Sequence, residues 1–264
     1  MIDSDNALWF RRYSPSEDAR CRLLCFPHAG GAATFFAPFA RELAPDIDAV
    51  AVQYPGRQER YREPLVAELA ALVDGICGAM GRSTGVPTAF FGHSMGAIVA
   101  YEVAKQLDPL SADYPVALFA SGRRGPSTYR DERVDTLPDS EIRRELLLLG
   151  GTGRVLLDDP DMAEAITRVF RNDYRAIGGY QDTEGPHLHC PVVALTGDDD
   201  PYASPAEVRA WRNHTRSDFT MHSFPGGHFY LADQVSEISD IIRGELPPRR
   251  SQGNERNVVA GSNC

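Results

Sequence analysis

The chain has 264 residues, of which 42% are hydrophobic and 24% are charged, as in ordinary soluble globular domains. Collagen-like, mucin-like and fully disordered proteins are thereby excluded, and the length is enough to close a sizeable core. The formal net charge of −10 disfavours nucleic-acid binding, which normally requires a basic surface.

The sequence also bears on compartment and oxidation state. No apolar run approaches the roughly 18 residues needed to span a bilayer, so we expect no membrane association. The first residues lack a basic region followed by an apolar stretch, so no secretory signal is predicted. The five cysteines lie at irregular spacing without a CxxC pair, which predicts reduced thiols in the cytoplasm and no structural zinc site. They are Cys21, Cys25, Cys77, Cys190 and Cys264.

Short apolar segments alternate with amphipathic ones along most of the chain, which indicates an α/β domain with a mostly parallel sheet. Strands are predicted at 22–26, 48–54, 88–91, 116–120, 191–196 and 219–224. Helices are predicted between them at 35–43, 65–80, 97–107, 205–213 and 234–243.

One region interrupts the alternation. Between 122 and 189 the sequence predicts helices at 137–150 and 160–180 and no strand. We therefore expect an insertion at 122–189 that forms a helical lid over the edge of the sheet. The core is then formed by 1–121 together with 190–246, and the polar stretch 247–264 is predicted to be a disordered tail.

The motif most indicative of chemistry is the sequence GHSMG at 92–96, between a predicted strand and a predicted helix. That is the context of a G-x-S-x-G nucleophile elbow, in which the serine sits on a sharp, strained turn. Residues two before and two after the serine crowd this turn, and both are glycine here. Ser94 is therefore the candidate nucleophile.

A serine hydroxyl needs an adjacent base to become a good nucleophile, and in hydrolases of this fold the acid and the histidine follow the serine in that order. His228 comes directly after the last predicted strand and is the candidate base. The strand before it ends in three consecutive aspartates. Asp200 is preferred as the triad acid because it is the third residue after the turn glycine, whereas Asp198 and Asp199 are expected to cap the turn or face solvent.

The negative charge on the substrate carbonyl needs preorganised N–H donors. The N–H of Met95, directly after the nucleophile, is one candidate, and the N–H of Ala29 in the glycine-rich loop 27–31 is the other. The sequence has no P-loop, dinucleotide fingerprint or metal-ligand cluster, so no cofactor is predicted. Among the remaining histidines, His93 is expected to be a packed neighbour and His214 a surface or strand residue.

Beyond these residues, the chain resembles the type II thioesterases of polyketide and nonribosomal peptide synthesis, within the α/β-hydrolase fold. The resemblance covers residues 9–246. The matching segments are CFPHAGG at 25–31, YPGR at 54–57, FGHSMG at 91–96, ASGRR at 120–124 and FPGGHF at 224–229.

This resemblance implies a stand-alone, monomeric serine hydrolase that removes aberrant or stalled acyl groups from the phosphopantetheine arm of acyl or peptidyl carrier proteins. Such carriers are usually acidic, as this chain is, so a local basic patch would aid their encounter. Arginines that could contact the carrier or the pantetheine phosphate are Arg57, Arg60, Arg62, Arg123 and Arg124.

Three other functions fit parts of the sequence. A general carboxylesterase or lipase would use the same triad, and a chain-releasing cyclase would normally be fused to a synthase. A non-catalytic ligand receptor of the hydrolase fold would be expected to lack one of the three triad residues, all of which are present here.

Overall fold

The computed structural model describes residues 8–81, 85–150, 157–183 and 185–248, so most of the predicted tail lies outside the described residues. Seven strands form one sheet: β1 (Phe10–Arg12), β2 (Cys21–Phe26), β3 (Ile47–Val52), β4 (Thr88–His93), β5 (Leu118–Ser121), β6 (Val192–Gly197) and β7 (Phe219–Phe224). The α-helices are α1 (Ala37–Leu43), α2 (Leu69–Met80), α3 (Met95–Gln106), α4 (Asp139–Leu149), α5 (Pro160–Ile177), α6 (Pro205–Arg209) and α7 (Val235–Glu245).

The strands lie in the order β1-β3-β2-β4-β5-β6-β7. Every neighbouring pair is parallel except β1 with β3, which confirms the predicted mostly parallel sheet. Strand β1 was not predicted. It has only three residues and pairs at the edge of the sheet, so its sequence carries no extended apolar run.

Side chains of successive residues in a strand point to opposite faces of the sheet, and this alternation builds two cores. In β2, Leu24 and Phe26 pack on the face that carries α2 and α3. Leu23 and Cys25 pack on the other face, against α1 and α7. A sheet covered on both faces explains why its central strands are nearly continuous in apolar residues.

Helices α4 and α5 both lie between β5 and β6, where two helices were predicted. Helix α5 begins at an Asp159 cap, whose carboxylate accepts the N–H groups of Asp161 and Met162. Its apolar side, which includes Phe170, Tyr174 and Ile177, packs against the core on the α2–α3 face. This segment is therefore anchored to the sheet domain.

None of the described helices has both the length and the apolarity needed to cross a membrane. Within the described ranges, Cys21, Cys25, Cys77 and Cys190 are free thiols.

Candidate active site

The candidate catalytic residues each follow a different strand. Ala29 follows β2, Ser94 follows β4, Asp200 follows β6 and His228 follows β7. These four strands are mutually parallel, so their carboxyl ends lie along one edge of the sheet. Open α/β sheets bind ligands at that edge.

The turn at Ser94 has the strained geometry of a nucleophile elbow. Its φ of 55° and ψ of −118° lie in a region that residues other than glycine rarely adopt. A Cβ on Gly92 would overlap the carbonyl oxygen of Gly96, and a Cβ on Gly96 would overlap the carbonyl oxygen of Phe26. Both glycines are therefore required by close backbone contacts, as the spacing of the motif predicts.

Asp200 and His228 are directly bonded. The Nδ1 of His228 lies 2.8 Å from the Oδ2 of Asp200, and both residues are buried. Their two loops are joined through the backbone, because the N–H of Asp199 donates to the carbonyl of Gly226 at 3.0 Å. A Cβ on Gly197 would overlap the carbonyl oxygens of Gly226 and Gly227, so glycine is needed where the loops touch.

Of the three consecutive aspartates, Asp200 alone reaches the histidine. Asp198 and Asp199 are exposed, whereas the second oxygen of Asp200, Oδ1, accepts the N–H of Tyr202 at 2.8 Å. Both carboxylate oxygens of Asp200 are thus engaged, which fixes the orientation of the side chain.

Among the described residues, Ser94 forms no hydrogen bond with this pair. In the described part of the chain, its hydroxyl has no hydrogen-bond partner, while its backbone N–H donates to the carbonyl of Ser121 at 2.8 Å. The ring of the preceding residue, His93, has its centre 5.0 Å from that of His228. The structure therefore shows the histidine–aspartate bond formed, and it places the ring of His93, the residue before Ser94, close to the ring of His228.

The two candidate oxyanion donors are unpaired. Met95 is the first residue of α3, where a backbone N–H has no partner within the helix. Neither this N–H nor that of Ala29 donates to an acceptor among the described residues. Both residues are buried.

The loop 27–31, here called the β2 loop, is braced by side chains rather than by regular structure. The hydroxyl of Tyr54 donates to the carbonyl of Pro27 at 3.2 Å. Asp173, on α5, accepts the N–H of Gly30 at 2.7 Å, and Arg57 donates to the carbonyl of Gly31 at 2.8 Å.

Two further histidines lie in this region. Burial, with the neighbouring His228 and Arg57 adding to it, lowers the pKa of His28 to about 3. Burial likewise lowers the pKa of His93 well below its usual value. The Nδ1 of His93 is bonded to the Ser121 hydroxyl at 3.0 Å, which agrees with its predicted packing role. Both rings are neutral near pH 7.

His214 is fully buried and bonded through its ring to Tyr101 and Ser127, so the prediction of a surface or strand position is wrong. It lies at the end of the 3-10 turn that follows α6, where the packing of Trp211 and Tyr101 encloses it.

The arginine patch is corrected in a similar way. Arg57, Arg60, Arg123 and Arg124 are buried, and each is ion-paired within the chain. Arg123 and Arg124 share the carboxylate of Glu132, at 3.1 and 2.7 Å. Of the five arginines, Arg62 alone is exposed, so the predicted carrier-binding patch is not formed.

Sequence reasoning missed two sets of residues at this site. Ser121 bonds His93 and, at 2.7 Å, the hydroxyl of Tyr230, which links the elbow to the loop after β7. Asp173 bonds the β2 loop from α5. It lies three residues after Phe170 on the same helix face, so a carboxylate beside an apolar stripe was the available signal.

No group of three or more histidine, cysteine, aspartate or glutamate side chains within the described ranges could hold a metal ion. The parallel sheet, the strained serine turn and the histidine–aspartate pair at one sheet edge define an α/β-hydrolase.

The comparisons with known proteins identify the family. A family model described as "Thioesterase domain" matches residues 21–246. The chain is 40% identical over 263 residues to thioesterase PikA5 of Streptomyces venezuelae, covering 97% of this chain and 92% of PikA5. It is 31% identical over 239 residues to the gramicidin S biosynthesis protein GrsT of Aneurinibacillus migulanus, covering 90% of this chain and 93% of GrsT.

The solved structure of BorB, the type II thioesterase from the borrelidin biosynthetic cluster, superposes with a TM-score of 0.82 at 41% identity. The match covers 91% of this chain and 98% of BorB. The chain therefore belongs to the thioesterase family, and within it to the type II thioesterases of polyketide and nonribosomal peptide clusters. The resemblance carried by the sequence motifs is thus confirmed.

Proposed function

We propose that this enzyme is an editing thioesterase, which hydrolyses aberrant or stalled acyl groups from the phosphopantetheine thioester of acyl or peptidyl carrier proteins. The observation that carries the proposal is the His228–Asp200 hydrogen bond, at the same edge of the sheet as the strained Ser94 turn. In a family of thioesterases, this geometry supports a covalent acyl-enzyme route.

In the first half of the reaction, Ser94 Oγ attacks the thioester carbonyl carbon while Nε2 of His228 accepts the hydroxyl proton. Nε2 is the basic nitrogen because Nδ1 is held by Asp200. The N–H groups of Ala29 and Met95 receive the oxyanion. The carbon–sulfur bond then breaks, and the proton on His228 passes to the departing pantetheine thiolate.

In the second half, His228 takes a proton from water, and the resulting hydroxide attacks the acyl-enzyme carbonyl. Collapse of this second tetrahedral intermediate breaks the bond to Ser94 Oγ, which recovers its proton from His228. A free carboxylic acid leaves, and the carrier keeps its unloaded thiol. No atom changes its oxidation state in this reaction, so the proposed mechanism requires no redox cofactor.

We also propose a division of labour along the chain. The core formed by 1–121 and 190–246 supplies the triad, and 122–189 acts as a lid that bounds the acyl group. Since the triad and both oxyanion donors come from one chain, the enzyme is proposed to act as a monomer. Because the proposed substrates are carrier proteins of the synthases, we propose that the enzyme acts beside the synthases in the cytoplasm.

The test is intact-mass spectrometry of a panel of acylated carrier proteins incubated with the wild-type enzyme and with Ser94→Ala. We expect the wild type to remove the acyl mass and the variant to lose activity by several orders of magnitude. Circular dichroism should show an unchanged fold. Equal turnover by the two proteins would exclude the nucleophile role.

A matched pair of substrates separates this function from that of a general carboxylesterase. The same acyl group is presented as a pantetheine thioester and as an oxygen ester of the corresponding alcohol. Editing predicts clear preference for the thioester and, further, for its carrier-bound form over free pantetheine. Faster hydrolysis of the oxygen ester would contradict the proposal.

A further inference from the structure

The β2 loop carries the proposed oxyanion donor Ala29 but has no secondary structure of its own. Its Gly30 has a φ of +76°, a conformation that other residues rarely adopt. One hydrogen bond lies within the loop, from the N–H of Gly31 to the carbonyl of His28 at 2.9 Å, and further bonds reach the loop from other parts of the chain. Residues after β3 bond the start of the loop and the chain just beyond its end, with Tyr54 at Pro27 and the side chain of Gln53 at Ala33.

The middle of the loop is held by a buried ion pair. Asp173 accepts two hydrogen bonds from Arg57, at 2.9 Å from Nη1 to Oδ2 and at 2.7 Å from Nη2 to Oδ1. The same Oδ2 accepts the N–H of Gly30, and the same Nη1 donates to the carbonyl of Gly31. One carboxylate and one guanidinium thus fix the Ala29–Gly30 and Gly31–Ala32 peptide groups.

Helix α5 meets the loop at a second point. A Cβ on Gly30 would lie 3.1 Å from Cδ2 of Phe170, one turn before Asp173. Phe170 and Asp173 are on the same face of α5. This one face therefore limits how closely the loop approaches the helix, through Phe170, and bonds the loop backbone, through Asp173.

A buried ion pair is a poor way to gain stability. Removing two charges from water is costly, and apolar residues of similar volume often serve as well or better. What an apolar pair cannot do is bond a backbone N–H and a backbone carbonyl at the same time. The pair is thus better suited to fixing a peptide orientation than to holding the fold together.

We propose that Asp173 and Arg57 are positioning residues for the oxyanion site: they hold Gly30 and Gly31 so that the N–H of Ala29 faces the reacting carbonyl. The inference rests on the proposed function, because the role of Ala29 is part of it. It also gives the segment 122–189 a part in catalysis besides covering the acyl group.

The experiment compares Asp173→Ala with Asn172→Ala. Asn172 is the preceding residue of α5, is also buried, and donates to the carbonyl of Val66 at 2.8 Å rather than to the β2 loop. Two rates are measured: kcat and KM for a soluble acyl thioester, and phosphonylation of Ser94 by a fluorophosphonate. In the second reaction, Ser94 Oγ bonds to phosphorus, fluoride leaves, His228 takes the hydroxyl proton, and the phosphoryl oxygen needs the same donors.

We expect Asp173→Ala to lower kcat and the phosphonylation rate together by about 10²-fold, within the range for loss of an oxyanion donor, with KM changed less than threefold. Asn172→Ala should keep both rates near those of the wild type. Equal rates in the two variants, or a loss confined to KM, would overturn the inference.

Unfolding of Asp173→Ala would not leave the question open, because the double variant Arg57→Met with Asp173→Leu removes both charges and leaves none unpaired. It should recover thermal stability and still react slowly in both assays, since the N–H of Gly30 and the carbonyl of Gly31 have lost their side-chain partners. Recovery of both rates with stability would show a merely structural role. If the wild type hydrolyses no carrier-bound thioester, the proposed function fails, while phosphonylation still decides the inference.

Discussion

The imidazole of His228 and the carboxylate of Asp200 are 28 positions apart in the chain, and 2.8 Å separates Nδ1 from Oδ2. The bond joins the loops after two neighbouring parallel strands, β6 and β7. It selects one histidine tautomer, with the proton on Nδ1, and leaves Nε2 to act on the serine.

Asp200→Asn is expected to keep the hydrogen bond from the N–H of Tyr202. His228 is expected to lose the tautomer that carries its proton on Nδ1. We expect kcat for thioester hydrolysis to fall by roughly 10⁴-fold with little change in KM. The matched substitution is Asp199→Asn, because Asp199 is exposed and contributes only its backbone to the loop contact. Steady-state kinetics of the two variants check this, and similar kcat values would contradict the triad assignment.

Gly96→Ala is expected to disrupt the elbow, because its Cβ would overlap the carbonyl oxygen of Phe26, directly before the β2 loop. Backbone must shift to accept it, at a cost of about 1–3 kcal/mol or more, with most of the activity lost. Gly78→Ala is the control, since nothing lies within 4 Å of its Cβ in α2. That change should stabilise the protein by about 0.5–1 kcal/mol. Urea unfolding measures both, and a Gly96→Ala enzyme of wild-type stability would refute the steric argument.

Glu132→Gln tests the buried charge cluster. Removing this carboxylate leaves Arg123 and Arg124 as buried, unpaired cations, so we expect a loss of about 3–5 kcal/mol in the free energy of unfolding. The neighbouring Asp131→Asn breaks an exposed pair with Arg133 and should cost less than about 1 kcal/mol. Urea denaturation followed by tryptophan fluorescence compares them; equal losses would mean that burial does not decide the effect.

His214 predicts a pH dependence of stability. Burial lowers the pKa of His214 from 6.5 to about 4, so the unfolded chain binds its proton first as the pH falls. Its stabilising effect is complete above pH 6.5 and is lost towards pH 4. In His214→Gln, the slope of unfolding free energy between pH 6.5 and 5 should fall by up to about 1.4 kcal/mol per pH unit.

The control for that measurement is His189→Gln, whose side chain is exposed. Its slope should match that of the wild type. A wild-type slope in His214→Gln as well would show that the buried ring does not titrate with folding.

The sequence predicted the parts of the site that depend on the nearest neighbours in the chain. Gly92 is fixed by backbone contacts within a few residues, whereas Gly96 is crowded by the distant carbonyl of Phe26, and each strand ends at a recognisable turn. The choice of Asp200 among three aspartates rested on turn length alone, and the structure places that residue against His228. Strand β1 was missed because three residues give too little pattern to read.

The sequence does not predict which side chains far apart in the chain form ion pairs. The partner of Arg57 is 116 positions away, and no periodicity indicates which carboxylate will meet which guanidinium. For that reason the arginines were interpreted as a surface patch, although four of the five are enclosed. Asp173 could have been suspected from its helix face, but its bond to Gly30 depends on how α5 docks on the sheet.

The docking of α5 bears on protein engineering. Under the proposed function, in which residues 122–189 bound the acyl group, this segment is the unit to exchange between relatives to change the acyl preference. Phe170 and Asp173 in this segment contact Gly30 in the β2 loop, which lies outside the segment. The segment and the β2 loop should therefore be exchanged or redesigned together. A chimera that takes α5 from one relative and the β2 loop from another would lose these contacts. We expect such a chimera to fold poorly and to hydrolyse its substrate slowly.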